Sequence, residues 1–233
     1  MDQGFQTFSF THFATLIVLV IFTMVMIRLG QKADGKMKIW IGYSIASASL
    51  AVLLIDLGIR FMHNGIDVLV DLPLFMCDLA ALVLPFIILQ QNRKWIGIFY
   101  FWALAGTLQA LITPELNDNY PSFEFFRYFI MHGAIVSAVL YYVVVMKVII
   151  TWKDLLNAVV YAQVYLVTIH IINMMLGSNY SYTMAKPAGH TVVDLFGNWP
   201  WYILGGEVLM IILFIILLLP FIFIYRKEDQ EEI

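Results

Sequence analysis

Long stretches of this chain carry almost no charge, and that restricts its fold more than any other feature. Between Phe10 and Tyr225 one apolar run follows another, with only short polar connections between them. The sequence is 62% hydrophobic and 12% charged, with a mean hydropathy of +0.86, far more apolar than a soluble domain. A bilayer core takes roughly 20 apolar residues per helical span, and in hydrocarbon every backbone polar group must be paired within such a helix or a closed barrel. The expectation is an all-α polytopic membrane bundle of seven transmembrane helices, at 10–29, 38–60, 72–89, 95–112, 125–146, 155–176 and 201–225. They form a single integral membrane domain over residues 1–233, with no stretch left for a soluble domain. The first run reads as a membrane helix and not a secretory signal, since no basic segment precedes it and no small-residue cleavage site follows.

Charge orients the bundle. Arg28, Lys32, Lys36, Lys38, Arg93, Lys94, Lys147, Lys153, Arg226 and Lys227 fall on one side, which is ten of the 13 basic residues; Arg60, Arg127 and Lys186 fall on the other. The positive-inside rule makes the first side cytoplasmic, so the expected topology is N-out/C-in in the cell membrane. The outer connections are the richer ones, and 177–199 is too aromatic for a plain linker. It reads as a lid or partly re-entrant cap. The acidic tail EDQEEI is read as solvated.

Polar residues mark a site. The segment DLPLFMCDLAALVLPF, residues 71–86, holds the only cysteine. Asp71 followed by Pro73 reads as a helix start, which puts Cys77 roughly 7 Å below the outer end and His132 roughly 10 Å below it. Asp56, Asp78, Gln109, His170, Asn173, Glu207 and His12 fall in the same outer half, whereas the inner half is nearly pure Leu, Ile, Val and Phe. Polar groups in hydrocarbon turn toward the bundle interior and toward each other, so a cavity open outward is expected.

Cys77 reads in two ways, as a nucleophile or as small apolar filler. His132 reads either as its base or as an interhelical hydrogen-bonding group. For His12 and His170 interhelical bonding is favoured over chemistry, and His63 and His190 read as solvated loop residues. Asp56, Asp78 and Glu207 read mainly as partners for Arg60 and Lys186. Tyr180, Tyr182, Trp199, Trp201 and Tyr202 are explained by an aromatic belt, and Lys186 either meets a lipid phosphate or snorkels. The chain has no Gly-rich phosphate loop, no G-x-S-x-G elbow, no CxxC pair, no HExxH and no H-x-x-x-x-D box. No cofactor, metal or soluble partner is expected, and no basic patch supports nucleic-acid binding.

Four segments carry a resemblance. LPLFMCDL (72–79), AGTLQALITPEL (105–116), FRYFIMHG (126–133) and SNYSYTMAKPAGHTVVDLFGNWPWY (178–202) together resemble the YwaF family of bacterial multi-pass membrane proteins. That family is itself similar to transmembrane protein 164, an acyltransferase that moves fatty acyl chains between phospholipids. The resemblance implies that Cys77 accepts the acyl group and His132 is its partner. It also implies that membrane lipids are the partners, and that Gln109, Asn179, Tyr180, Lys186, Trp199 and Tyr202 occupy motif positions. His12 and Asn173 join these as candidate substrate-binding residues. Where the family often has histidine two residues before the cysteine, this chain has Phe75, so activation of the thiol rests on His132 or His12. The reading is a Cys77/His132 lipid acyltransferase or acyl-ester hydrolase. The alternative is a non-enzymatic transporter or lipid-binding protein using Asp56, Asp78 and Glu207. A seven-helix receptor shares the topology but no signalling motif.

Overall fold

The computed structural model describes residues 4–187 and 192–231. His190 and the last two residues of the acidic tail lie outside them. Among the described residues every regular element is helical. Seven helices carry the chain: α1 Phe10–Lys32, α2 Gly35–Asn64, α3 Met76–Leu89, α4 Arg93–Ile112, α5 Phe123–Val145, α6 Trp152–Leu176 and α7 Trp201–Glu231. Six are long and apolar enough to cross a membrane, and α3 is the exception.

Most helices run past their apolar stretch because polar residues cap them. Ser9 accepts the N–H of His12 at the start of α1, and Ser122 accepts that of Phe125 at the start of α5. α6 begins three residues ahead of expectation, since Thr151 and Asp154 form a reciprocal capping box that satisfies two orphan donors.

The third helix differs most from expectation. Asp71 and Pro73 do not start it. The N–H of Leu74 bonds to the carbonyl of Leu72 at 2.7 Å, a three-residue turn centred on Pro73, whose fixed φ suits it. The chain stays irregular to Phe75, the extended residue that precedes the helix. The 14 residues of α3 rise only about 21 Å, short of a bilayer core. Cys77 is therefore the second residue of its helix.

α5 is the hub of the bundle. α1, α2, α3 and α4 all pack on it, α6 lies against α4, and α7 lies against α6 and the middle of α4. α1 and α7 expose most of their apolar surface, as lipid-facing helices do. Where α1, α2 and α5 meet, Gly30 and Gly42 press against the ring of Tyr141, whose hydroxyl donates to the carbonyl of Lys38 at 2.8 Å. At the lysine-rich end Arg93 makes a two-pronged ion pair with buried Asp154, both contacts 2.7 Å, and Gly97 supplies the space for it.

α4 is not a uniform helix. Ala103–Thr107 forms one π-turn, in which the N–H of Leu108 reaches back five residues to the carbonyl of Ala103. Such turns rotate the following side chains out of α-helical register and are frequent at functional sites.

Candidate functional site

A cavity of about 330 Å³ opens at the end of the bundle where α3 and α5 begin, and both Cys77 and His132 line it. It lies among α2, α3, α4 and α5, beneath the 65–75 segment and the loop that follows α6. Its charged lining is Asp56, Arg60, Asp71, Asp78, Glu115 and Arg127.

Cys77 reaches it from the first turn of α3. Its Sγ lies 3.7 Å from Thr107 Oγ1, on the π-turn of α4. His132 reaches it from α5, where the ring is 6% exposed and stacks on Tyr128 with centroids 4.2 Å apart. Its Nδ1 sits 2.8 Å from the Tyr128 carbonyl. A carbonyl only accepts, so Nδ1 carries the proton and Nε2 is left with its lone pair. Nε2 has no hydrogen-bond partner among the described residues. It is not sealed either, because Ser47 Oγ is the one fully enclosed unpartnered side-chain polar atom among the described residues. A basic nitrogen is thus open in the cavity that holds the thiol.

The charges are ordered by ion pairs. Arg60 donates to Asp56 at 3.0 Å and to Asp71 at 2.7 Å, and Arg127 approaches Asp56 at 3.5 Å. The N–H of Asp67 donates to Asp71 at 2.9 Å. That backbone bond above all, helped by Arg60 and opposed by burial, holds the Asp71 carboxyl below the usual carboxylate range. A depressed folded value means its stabilisation is complete above the ordinary carboxylate pKa of about 4 and is lost as pH falls through the folded value. In acid unfolding below about pH 4, Asp71→Asn is expected to flatten the loss of stability, measured as the thermal midpoint in detergent against pH.

The candidate residues divide into two groups. Cys77, His132, Asp56, Asp78 and Tyr182 line the cavity, and the others lie elsewhere. His12 has both ring nitrogens engaged, Nδ1 by the N–H of Phe8 at 3.0 Å and Nε2 by the carbonyl of Leu111 at 2.8 Å, so it ties α1 to the end of α4. Gln109 faces an apolar cleft between α4 and α7, beside Met76 and Gly206. Buried Asn173 spends its side chain on Tyr180, Thr183 and Ser178, and Asn179 shapes the turn at Met184 and Ala185. Lys186 pairs with Asp194 at 3.4 Å. Glu207 lies away from the cavity, against Gln163 and in a cleft with His170.

A model of the TMEM164 family matches residues 7–218. The chain belongs to the TMEM164 family. No curated protein and no solved structure matches it. Within this TMEM164 family chain the described part of the α6–α7 loop packs over the segment that leads into Cys77. Tyr180 is buried, and its hydroxyl takes the N–H of Leu72 at 3.0 Å and gives to the carbonyl of Val68 at 2.9 Å, pinning the segment that leads into Cys77. Tyr182 enters the cavity with its hydroxyl on Glu115 at 2.9 Å. Ser181 and Tyr182 both adopt left-handed backbone, φ 52° and 55°, uncommon for side-chain-bearing residues. Tyr165 on Ser181, Tyr202 on the Tyr182 carbonyl and Trp199 on the Thr183 carbonyl hold them there. Tyr180→Phe leaves a buried donor and acceptor unpaired, and a loss of about 1–3 kcal/mol is expected by thermal unfolding in detergent.

Thr107, Tyr128, Arg60, Arg127 and Glu115 were not singled out as site residues by sequence reasoning. The spacing Arg127–Met131 and Tyr128–His132, four residues apart on one helical face, is the signal that finds two of them. Phe75 packs its ring edge-on to Tyr180 at 5.5 Å, so that wall of the cavity is apolar. With His12 engaged elsewhere, His132 is the imidazole that faces the thiol's cavity. Among the described residues no cluster of His, Cys, Asp and Glu could hold a metal ion.

Proposed function

We propose that the chain is a membrane lipid acyltransferase, or an acyl-ester hydrolase, of the YwaF type within its family, with Cys77 as nucleophile and His132 as base. Its single domain, residues 1–233, sits in the cell membrane N-out/C-in. Seven segments are embedded, and the third, Met76–Leu89, is the short one. The cavity then opens to the outer leaflet. The observation that carries the reading is the shared cavity: thiol on one wall, imidazole on another, with the imidazole's second nitrogen already bonded so that Nε2 is the free base.

In the first step Nε2 takes the thiol proton and Sγ attacks the ester carbonyl of an acyl lipid. The C–S bond forms, the C–O bond breaks, and the imidazolium returns its proton to the leaving glycerol oxygen. In the second step a lysolipid hydroxyl or water reverses the sequence. Arg60 and Arg127 offer guanidinium groups to a phosphate. An apolar cleft of about 500 Å³ begins at Met76, the neighbour of Cys77, and suits an acyl chain. The lid residues Asn173, Asn179, Tyr180, Lys186, Trp199 and Tyr202 act on substrate through the lid they fold, Gln109 through the apolar cleft, and His12 through the end of α4.

The purified protein with an acyl-labelled phospholipid and an unlabelled lysolipid tests this. Label should move to the lysolipid, and His132→Gln should slow transfer by about 10²–10⁴-fold. Unchanged transfer by His132→Gln rules out the assigned base.

A further inference from the structure

Threonine inside a helix has a default partner, the carbonyl four residues back, because its hydroxyl reaches that oxygen without leaving the helix. Thr15, Thr23 and Thr168 follow the rule at 2.7–2.8 Å, and Thr113 follows it at the end of α4 at 3.1 Å. Thr107 does not. It is 3% exposed, and its one hydrogen-bond partner among the described residues is Cys77 Sγ at 3.7 Å.

The π-turn is the cause. By admitting one extra residue per turn it gives the Ala103 carbonyl to the N–H of Leu108, so Thr107 turns away from its default acceptor toward α3. Its hydroxyl then has the sulfur as its neighbour, and either group can donate while the thiol keeps its proton. Cys77 itself is the second residue of α3, where backbone N–H groups have no helical partner and the helix end favours negative charge.

We infer that Thr107 is a catalytic residue of the thiol site, presented by the π-turn so that its hydroxyl donates a hydrogen bond to the Cys77 sulfur as the thiolate forms. This rests on the proposed Cys77 chemistry for its purpose, but not for its test. When the S–H bond breaks and the proton passes to His132 Nε2, Thr107 keeps its own proton and stabilises the sulfur's charge. It leans on no acyl substrate to do so. Such donors to an ionised group are the stronger class of hydrogen bond, and the thiolate is the reacting form.

Because Cys77 is the chain's only cysteine, alkylation of the intact protein in detergent reports on this sulfur alone. The probe is iodoacetamide, with rates taken upward from pH 6 until each levels, on wild type, Thr107→Val and Thr107→Ser. Thr107→Val keeps the shape and removes the donor. Its rate should fall about tenfold at every pH below the thiol's own midpoint and rejoin wild type only above it, so the midpoint of its pH–rate curve should lie about one pH unit higher, while Thr107→Ser should follow wild type throughout. A Val variant that alkylates as wild type does at every pH overturns the inference. So does one whose midpoint is unmoved and whose rate stays below wild type above that midpoint, which signals altered access, or a Ser variant that behaves like Val. If wild type moves no acyl chain, the acyltransferase reading fails while the pH profile still decides the role of Thr107.

Discussion

Cys77→Ala should reduce acyl transfer to background, a loss of at least about a thousandfold, because no other nucleophile lies where the thiol does. The substitution is mild for the fold. Cys77 is half-buried at the first turn of α3 with one weak hydrogen bond, so the thermal midpoint in detergent should move little. That separation makes the result informative, since activity and stability respond through different groups. It also divides the two readings of the cavity. A binder or transporter that uses the ordered charges of Asp56, Arg60, Asp71 and Arg127 keeps its ligand when the sulfur is removed and loses it when Asp56 becomes asparagine. An acyltransferase loses turnover with the sulfur.

Asp154→Ala should be the most damaging single change to the fold outside the site. One carboxylate there satisfies both prongs of Arg93, the backbone N–H of Thr151 and the Thr151 hydroxyl. It thereby joins the start of α4 to the start of α6. Removing one partner of a buried pair typically costs 3–5 kcal/mol, and because the Arg93 side chain keeps 44% of its exposure a value of about 3 kcal/mol is expected here. Gly97→Ala should act in the same direction through the same contact, since its Cβ falls 2.5 Å from Asp154 Oδ1 and the pair must give way. Thermal unfolding of the two variants and their double mutant measures the shared origin: the combined loss should be well short of the sum.

The architecture was largely legible in the sequence because its signal is collective. Twenty consecutive apolar residues make a span whatever any one of them does, and α1, α2, α4, α5, α6 and α7 lie within a few residues of their expected places, α7 running on beyond its apolar stretch. The third segment was not legible in the same way. Asp71 and Pro73 fit a helix start by residue type, yet Asp71 is claimed by Arg60 and Asp67, and Pro73 turns the chain instead. Propensity at a helix end yields to such tertiary claims.

The site was half legible for a related reason. Cysteine and histidine announce themselves by type, and equal depth along two helices pointed to one cavity, which both line, although their hydrogen bonds go to Thr107 and to the Tyr128 carbonyl. Thr107 could not be found, because the sequence ALAGT reads as ordinary helix and the π-turn depends on what packs around it. Arg60 was read as a partner for the acids and does pair with Asp56, while Arg127 was read only as an outer-side charge, although both line the cavity. The loop motif pointed to Tyr180 and Tyr202, and with Asn173 of α6 they fold the loop and pin the approach to Cys77.

The central claim is that Cys77 carries the acyl group. Intact-mass spectrometry of the purified protein, quenched in acid after mixing with a phospholipid of one defined acyl chain, tests it directly. The account predicts an adduct of that acyl mass on the peptide containing Cys77, released by neutral hydroxylamine and missing from Cys77→Ala. Acyl transfer that proceeds at the wild-type rate with no adduct on Cys77, or that persists in Cys77→Ala, contradicts it.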